Sequence, residues 1–544
     1  MSTQRTVAKA AGLMMAAIFL SRVLGLVRDM IIAHKFGQGG LVSAYGAAFN
    51  LPDLLYFFLS SGALSSAFIP VFVLYLKENK EEDAWRIFSA VACLMVIVLG
   101  GAIIIFEILA RPLVVSLAVP GFRRSDPELV DLTVKLTRIV LPSQLFFFFG
   151  GLMMGTLEAR QRFMARALGP VIYNVGIIFG AIVLSTWFDI SGLVWGALIG
   201  AFAGNIAFTY FSLRRAGYRF LPNLNLRHPG VVKVGKLAVP VMLGLSLPQI
   251  DVIINRWFAS YLGESAIAAL NNGNRLMQVP LGVFAQAAAI AFFPTLAAHA
   301  ARREMAELRS NLNLALRGIL SLTIPASAFM MVLAVPVIRT FFQSGRYTAA
   351  DSLVAAPALL FYSVGIFAWG GQAIVARGFY ALQDTLTVIV VGTIMTALFI
   401  PLNVILMKPL GIGGLALATS IAAALHMFVL LVLLRRRIDG IGVKRLAISA
   451  ARICVASAGL AAICWLARSA MAQRVDLETR LGSLQTLVTA FVPGVLVYVG
   501  LMWLMRSEEL AFFATALKGR MRGRKVSEEE PAEIAPTVPG APQD

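Results

Sequence analysis

Long apolar runs alternate with short polar stretches along this chain, and the runs are about as long as a bilayer crossing. A helix rises about 1.5 Å per residue, so about 20 residues span the hydrocarbon core. Fourteen runs reach that length, at approximately 8–33, 41–76, 86–110, 129–158, 166–187, 191–213, 231–260, 265–298, 310–336, 350–380, 385–407, 411–434, 446–468 and 484–505; they are segments one to fourteen below. The pattern predicts an all-α polytopic membrane protein with about 14 transmembrane helices. Pro52 and Gly62 in segment two, and Pro280 and Gly282 in segment eight, predict bent or interrupted helices there.

The exceptions to the apolar background carry the chemistry. Arg22, Arg28 and Asp29 lie in segment one, Asp53 in segment two, Asp251 and Arg256 in segment seven, and Arg275 in segment eight. An intramembrane arginine costs roughly 2.5–3.5 kcal/mol even on the lenient insertion scale, so such residues imply a wet cavity or a bound anion rather than lipid contact. Asn271, Asn274, Arg275 and Gln278 recur at helical spacing and form one polar stripe; Asn50, Asp53, Ser60 and Ser61 form a second. Arg22 and Asp29 share a face of segment one, Arg28 points elsewhere, and Asp251 and Asn255 stack one turn apart. On one reading Arg22 with Asp29, and Asp251 with a nearby arginine, are structural ion pairs. On the other, the set lines a path for an anion, because it is cationic in excess and concentrated on the first two helices of each half.

The halves are visible as a repeat. Gly192-Leu193-Val194-Trp195-Gly196-Ala197, before a helix ending at Arg214-Arg215, matches Gly414-Leu415-Ala416-Leu417-Ala418-Thr419, before a helix ending at Arg435 to Arg437. Ala67-Phe68-Ile69-Pro70 likewise echoes Ala291-Phe292-Phe293-Pro294. The repeat predicts two six-helix lobes related by a parallel pseudo-two-fold, residues 1–220 and 221–440, then two additional helices in 441–506 and a disordered cytoplasmic tail in 507–544. Transporters built this way hold substrate between the lobes and alternate which side is open.

Composition sharpens the class: 544 residues are 59% hydrophobic, with mean hydropathy +0.81 and a net charge of +19. The basic residues crowd the tails and the even-numbered connections, among them Arg160, Arg162, Arg214, Arg215, Arg302, Arg303 and Arg435 to Arg437. That bias predicts both termini in the cytoplasm and accounts for the charge without nucleic acid. The basic, apolar amino terminus lacks a small-residue cleavage site and is expected to remain as the first helix. Cys93, Cys454 and Cys464 lie inside apolar segments, and the four histidines show no metal spacing, so no metal, cofactor or catalytic constellation is predicted. No GxxxxGK[ST] loop for ATP occurs, so energy is expected from outside the chain or from an ion gradient, with the membrane potential or a sodium or proton gradient as candidates. A guanidinium fork suits phosphate oxygens, so residues alone lead to an exporter of an anionic or phospholipid-like substrate.

Several motifs also resemble the MurJ (MviN) family of lipid II flippases. They are Ser21-Arg22-Val23-Leu24-Gly25-Leu26-Val27-Arg28-Asp29, Leu51-Pro52-Asp53-Leu54-Leu55, Gly62-Ala63-Leu64-Ser65-Ser66-Ala67-Phe68-Ile69-Pro70, Gly169-Pro170 with Asn174, Asn274-Arg275-Leu276-Met277-Gln278-Val279-Pro280-Leu281-Gly282, and Arg377-Gly378-Phe379-Tyr380-Ala381 with Asp384-Thr385. The resemblance runs from about residue 10 to 505. It implies a transporter of the MOP exporter superfamily in a bacterial inner membrane. Its substrate would be undecaprenyl-diphosphate-linked peptidoglycan precursor, lipid II, moved from the cytoplasmic to the periplasmic leaflet. It implies that Arg22, Arg28 and Arg275 bind the diphosphate and that the last two helices form a groove for the polyprenyl tail. Asn50, Asp53, Asn274 and Gln278 of the stripes, with Asn174, complete the candidate substrate site. Many family members carry a further arginine where this chain has Tyr56, and an acidic residue where it has Ser43. The family's sodium positions match Asn255, Asn403 and Thr419, without carboxylates, while Asp251 lies one turn earlier; these four are the candidate ion-binding residues. A monomer would suffice, with cell-wall synthesis machinery as a candidate partner. The alternatives are a flippase for another polyprenyl-linked glycan, a drug/cation antiporter, which would need an acidic cavity, or a non-transporting cell-wall assembly scaffold.

Overall fold

The computed structural model describes residues 2–57, 63–162, 164–246 and 250–510. Ser60, Ser61 and Gly62 of segment two, and the tail from residue 511, lie outside the described residues. Every regular element among those described is a helix. The apolar runs force this, because a backbone in lipid satisfies its own hydrogen bonds most simply as a helix.

Among the described residues nine helices are long and apolar enough to cross a membrane. One of them, Thr385–Arg437, is segments eleven and twelve together: Gly411 takes φ +56° inside it, and Phe399 packs against Ala418 and Ala422. The chain therefore folds back there as a hairpin, in a left-handed backbone that glycine adopts without penalty. The nine omit segments one, two, seven and eight, the first two of each predicted lobe. These are the charged or broken ones. Segment two is divided into Gly40–Ala48, Asn50–Leu55 and Ala63–Lys77. Segment seven comprises Pro229–Ser246 and Ile250–Ala259, and segment eight, Ala266–Pro280, passes through a wider π-type turn at Leu281–Ala285 before Gln286–Ala301. The Pro280 and Gly282 break is thus where the sequence places it.

The same helix pairs recur in both halves. Segment one packs on five, two on four, and five on six; seven packs on eleven, eight on ten, and eleven on twelve. Segments five and six approach so closely that a Cβ on Gly196 would lie 2.5 Å from the Gly176 carbonyl oxygen. Small residues allow such backbone contact, which supplies the dispersion attraction that lipid cannot. Across the halves, segment two touches seven and eight.

Segments thirteen (Val443–Ala472) and fourteen (Arg480–Leu504) pair with each other, and thirteen also packs on segment nine (Met305–Val332). A charged clasp fastens this pair. Arg317 of segment nine lies 2.8 Å from Glu508 and 3.0 Å from Glu509, and Arg445 lies 2.7 Å from Glu508. Ser449 and Ser507 donate hydrogen bonds to Glu509. The sequence reading places 507–510 in a disordered tail; the structure corrects that, because carboxylates at 508 and 509 meet an arginine that would otherwise be buried alone.

Candidate functional site

Segments one, two, five, seven and eight enclose a cavity of about 300 Å3 at the junction of the two halves. Arg28 and Asp29 reach it from segment one, Asp53 from two, Tyr173 from five, Arg256 from seven, and Asn271, Asn274, Arg275 and Gln278 from eight. The stripe on segment eight therefore faces the cavity as one side of its helix, as its spacing predicts.

Two sets of charges cross this cavity. In the first, Asp29 is shared: Arg28 Nη2 lies 2.7 Å from Oδ1, and Arg275 Nε lies 2.8 Å from Oδ2. Arg28 also donates to Asn174 Oδ1 at 3.0 Å, while the Asn174 amide donates to Ser21 and to the Pro170 carbonyl. In the second, Arg256 Nη1 donates to Asn50 Oδ1 at 2.9 Å and lies 3.5 Å from Asp53 Oδ2. The Arg256 Nε is buried and makes no hydrogen bond among the described residues. Both sets join a carboxylate of the first half to an arginine of the second.

Arg22 stands apart from this arrangement. It is exposed and does not line the cavity, and the expected ion pair with Asp29 is replaced by Arg28 and Arg275. Its guanidinium lies over segment eight, where a Cβ on Gly282 would be 1.8 Å from Nη1; reciprocally, a Cβ on Gly25 would be 1.8 Å from Arg275 Nη2. Segments one and eight thus cross with each arginine seated on the other's glycine. Gln278 donates to Asn274 Oδ1 at 2.5 Å, which keeps both amides on the cavity side. Asn50 is fully buried and also donates to the Ala118 carbonyl at 3.4 Å.

The departures from the family pattern have local causes. Tyr56 turns away into an aromatic cluster, edge-on to Phe57 and Phe147, and does not line the cavity. Ser43 is buried and accepts the Ala268 backbone N–H at 3.1 Å, joining segment two to the start of segment eight.

The candidate ion-binding residues fall elsewhere. A cavity of about 260 Å3 within the second half is lined by Asp251, Gln372, Thr419 and His426, with Gln372 Nε2 3.0 Å from His426 Nδ1. Asp251 forms no ion pair among the described residues, contrary to the expected pairing with an arginine: Arg256, five residues on, points to Asp53. The Asn255 amide donates to Thr419 Oγ1 at 2.9 Å, and the fully buried Asn403 amide donates to the Phe399 carbonyl. The side-chain oxygens of Asn255 and Asn403 are buried and accept no hydrogen bond among the described residues. Of the four candidate ion-binding residues, Asp251 and Thr419 line this cavity, whereas Asn255 and Asn403 do not.

Of the substrate-site residues expected from the sequence, Arg28, Asp53, Asn274, Arg275 and Gln278 line the cavity, and Arg22, Asn50 and Asn174 do not. Arg256 stood out as a charge in an apolar segment without being assigned to the site, and helical spacing contained no hint of its partner. Tyr173, and Tyr45 of segment two, line the cavity too; aromatic residues in apolar runs give no signal of facing water.

Residues 32–481 match the sequence profile of the family described as Lipid II flippase MurJ. The chain is similar to the probable lipid II flippase MurJ of Haemophilus influenzae, 31% identical over 432 residues, 76% of this chain and 83% of that one. It is similar to the lipid II flippase MurJ of Burkholderia cenocepacia at 30% identity over 435 residues, covering 77% and 82%. Among solved structures it is similar to a lipid II flippase MurJ in an inward closed conformation, with TM-score 0.76 and 25% identity over 94% of this chain and 100% of that one. An inward-facing MATE family multidrug resistance transporter of the MOP superfamily shares the fold, with TM-score 0.66 and 17% identity over 77% and 94% of the two chains.

Proposed function

Because this chain belongs to the MurJ lipid II flippase family, we propose that it moves the undecaprenyl-diphosphate-linked peptidoglycan precursor lipid II from the cytoplasmic to the periplasmic leaflet of a bacterial inner membrane. The observation that carries the reading is the convergence of Arg28 and Arg275, one from each half, on a single carboxylate in the central cavity. Three arginines against two aspartates leave that cavity cationic. A diphosphate offers oxygens to both guanidinium forks and outcompetes one carboxylate for them, because bidentate, charge-assisted bonds are the strong ones. The glycan rides with the head group through the cavity, and the polyprenyl tail stays in the bilayer along segments thirteen and fourteen. The lobes, residues 1–220 and 221–440, rock about the site to open it first to one side and then to the other. Arg22, at the crossing of segments one and eight, meets the head group on its way in or out of the cavity. Asn174 orients Arg28, and Asn274 with Gln278 completes the polar wall.

Both termini lie in the cytoplasm, and a monomer contains the whole pathway. The energy comes from the membrane potential or a sodium or proton gradient, and Asp251, Asn255, Thr419 and Asn403 would hold the cation. Their role is to offer hard oxygens inside the second lobe, away from the anion.

The test is to deplete the native lipid II flippase of a bacterial host carrying this chain and to assay lipid II exposed at the periplasmic face. Restored exposure that is lost in Arg28→Ala and Arg275→Ala supports the reading. No restoration from a well-expressed, correctly inserted protein would overturn it and favour another polyprenyl-linked glycan.

A further inference from the structure

Asp53 is a puzzle in a cavity built for an anion, because a carboxylate facing a diphosphate would repel it. Its surroundings resolve this. Asp53 Oδ2 and Asn50 Oδ1 converge on a single nitrogen, Arg256 Nη1, while Arg256 Nε is buried and has no hydrogen-bond partner among the described residues. Arg256 lines the same wall-to-wall cavity as Arg28 and Arg275, and its side chain is only 16% exposed. A guanidinium has five donors, and here two acceptors share one of its nitrogens while Nε has none among the described residues. Burying a cation with so few bonds is unfavourable unless a further acceptor arrives.

We propose that Arg256 is a substrate-binding residue, the third cation for the diphosphate, and that Asp53 with Asn50 is its resting counter-ion rather than a ligand of the substrate. The inference rests on the flippase reading. Asp53 belongs to segment two and Arg256 to segment seven, so the pair bridges the two halves, just as Asp29 and Arg275 do. An arriving diphosphate takes the free edge of Arg256 and weakens its hold on Asp53. The substrate thereby replaces a contact between the halves with contacts to itself, and each half is left freer to move. Asp53 serves the empty carrier: it holds the arginine in position on the return stroke.

The experiment is equilibrium binding of lipid II to the full chain in nanodiscs, comparing wild type with Arg256→Ala, Arg256→Lys, Asp53→Asn and Arg275→Ala. Removing one buried, hydrogen-bonded charge partner typically costs tenfold or more, so Arg256→Ala is expected to weaken binding by about 10- to 100-fold. Arg256→Lys recovers part of that loss, because the charge returns without the fork. Asp53→Asn is expected to bind several-fold more tightly than wild type while transporting more slowly in proteoliposomes, a split that a purely structural ion pair would not produce. Wild-type affinity in Arg256→Ala, with binding lost in Arg275→Ala, would overturn this inference and leave the flippase reading standing. Weaker binding in Asp53→Asn would also overturn it, by making the carboxylate a direct ligand. If wild type fails to bind lipid II at all, the flippase reading fails first.

Discussion

Two arginine–carboxylate clusters sit in this molecule, and the same chemistry is closed within one part of the fold in one of them and spans the two halves in the other. In the clasp beyond segment fourteen, Arg317 and Glu509 are each at most 5% exposed, Ser449 and Ser507 complete the carboxylate's hydrogen bonds, and every partner belongs to the second half or the terminal hairpin. In the central cavity, Asp29, Arg275, Asp53 and Arg256 stay 16–33% exposed, and each pair joins one half to the other. A closed cluster that joins no element of the first half to the second has no boundary to act on. An open one whose pairs join the two halves has such a boundary, and on the proposed reading an anion that competes for its arginines acts there.

The largest effect that would sharpen this contrast is in the cavity. Arg275→Ala is expected to lower transport by roughly 100-fold or more while leaving the thermal unfolding midpoint near wild type, since Asp29 keeps Arg28 as a partner. Loss of the fold together with transport would erase the distinction between the clusters. In the clasp the expectation reverses. Arg317→Ala strands the buried Glu509 carboxylate and is expected to cost roughly 3–5 kcal/mol of stability, read by thermal unfolding in detergent, with transport per folded molecule retained.

A smaller effect probes the crossing of segments one and eight. Alanine at Gly25 favours the helix, yet its Cβ would displace the Arg275 guanidinium from its seat. Gly25→Ala is therefore expected to reduce transport by about tenfold or less, with thermal stability unchanged or raised. A large fall in stability would mean that the glycine serves packing alone.

Acidification gives the smallest effect. The hydrogen bond from Arg317, joined by Arg445, holds the Glu508 carboxyl below its usual range. A lowered pKa in the folded state means that the contribution is present above the unfolded carboxylate value and is lost as pH falls through the folded one. The wild-type midpoint should thus fall more steeply than that of Glu508→Gln below about pH 4. Because Glu508 is half exposed, the difference should be slight, and equal slopes would show that its charge contributes nothing to the clasp.

How much of this was legible in the sequence follows from the range of the interactions. The segments, the break at Pro280 and Gly282, and the watery face through Asn271, Asn274, Arg275 and Gln278 are local, and helical spacing fixes them. The pairings are not local. Asp29 meets Arg275, and Asp53 meets Arg256, about 200 or more positions along the chain, and nothing in either helix selects the partner. Asp251 and Arg256 could have been separated in advance, since five residues on a helix place side chains roughly 140° apart. One faces the cavity within the second half and the other the cavity between the halves. The docking of Glu508 and Glu509 was hidden because they open a stretch that turns basic and then acidic and Pro-rich, which reads as solvated chain, while the arginine that holds them lies in segment nine.

The most direct measurement is transbilayer movement of lipid II by the purified chain in proteoliposomes, wild type beside Arg275→Ala. Transport by the wild type and its loss in a variant that still folds would place the anion between the lobes. Equal rates in both would contradict a cavity in which arginines from opposite halves carry the head group.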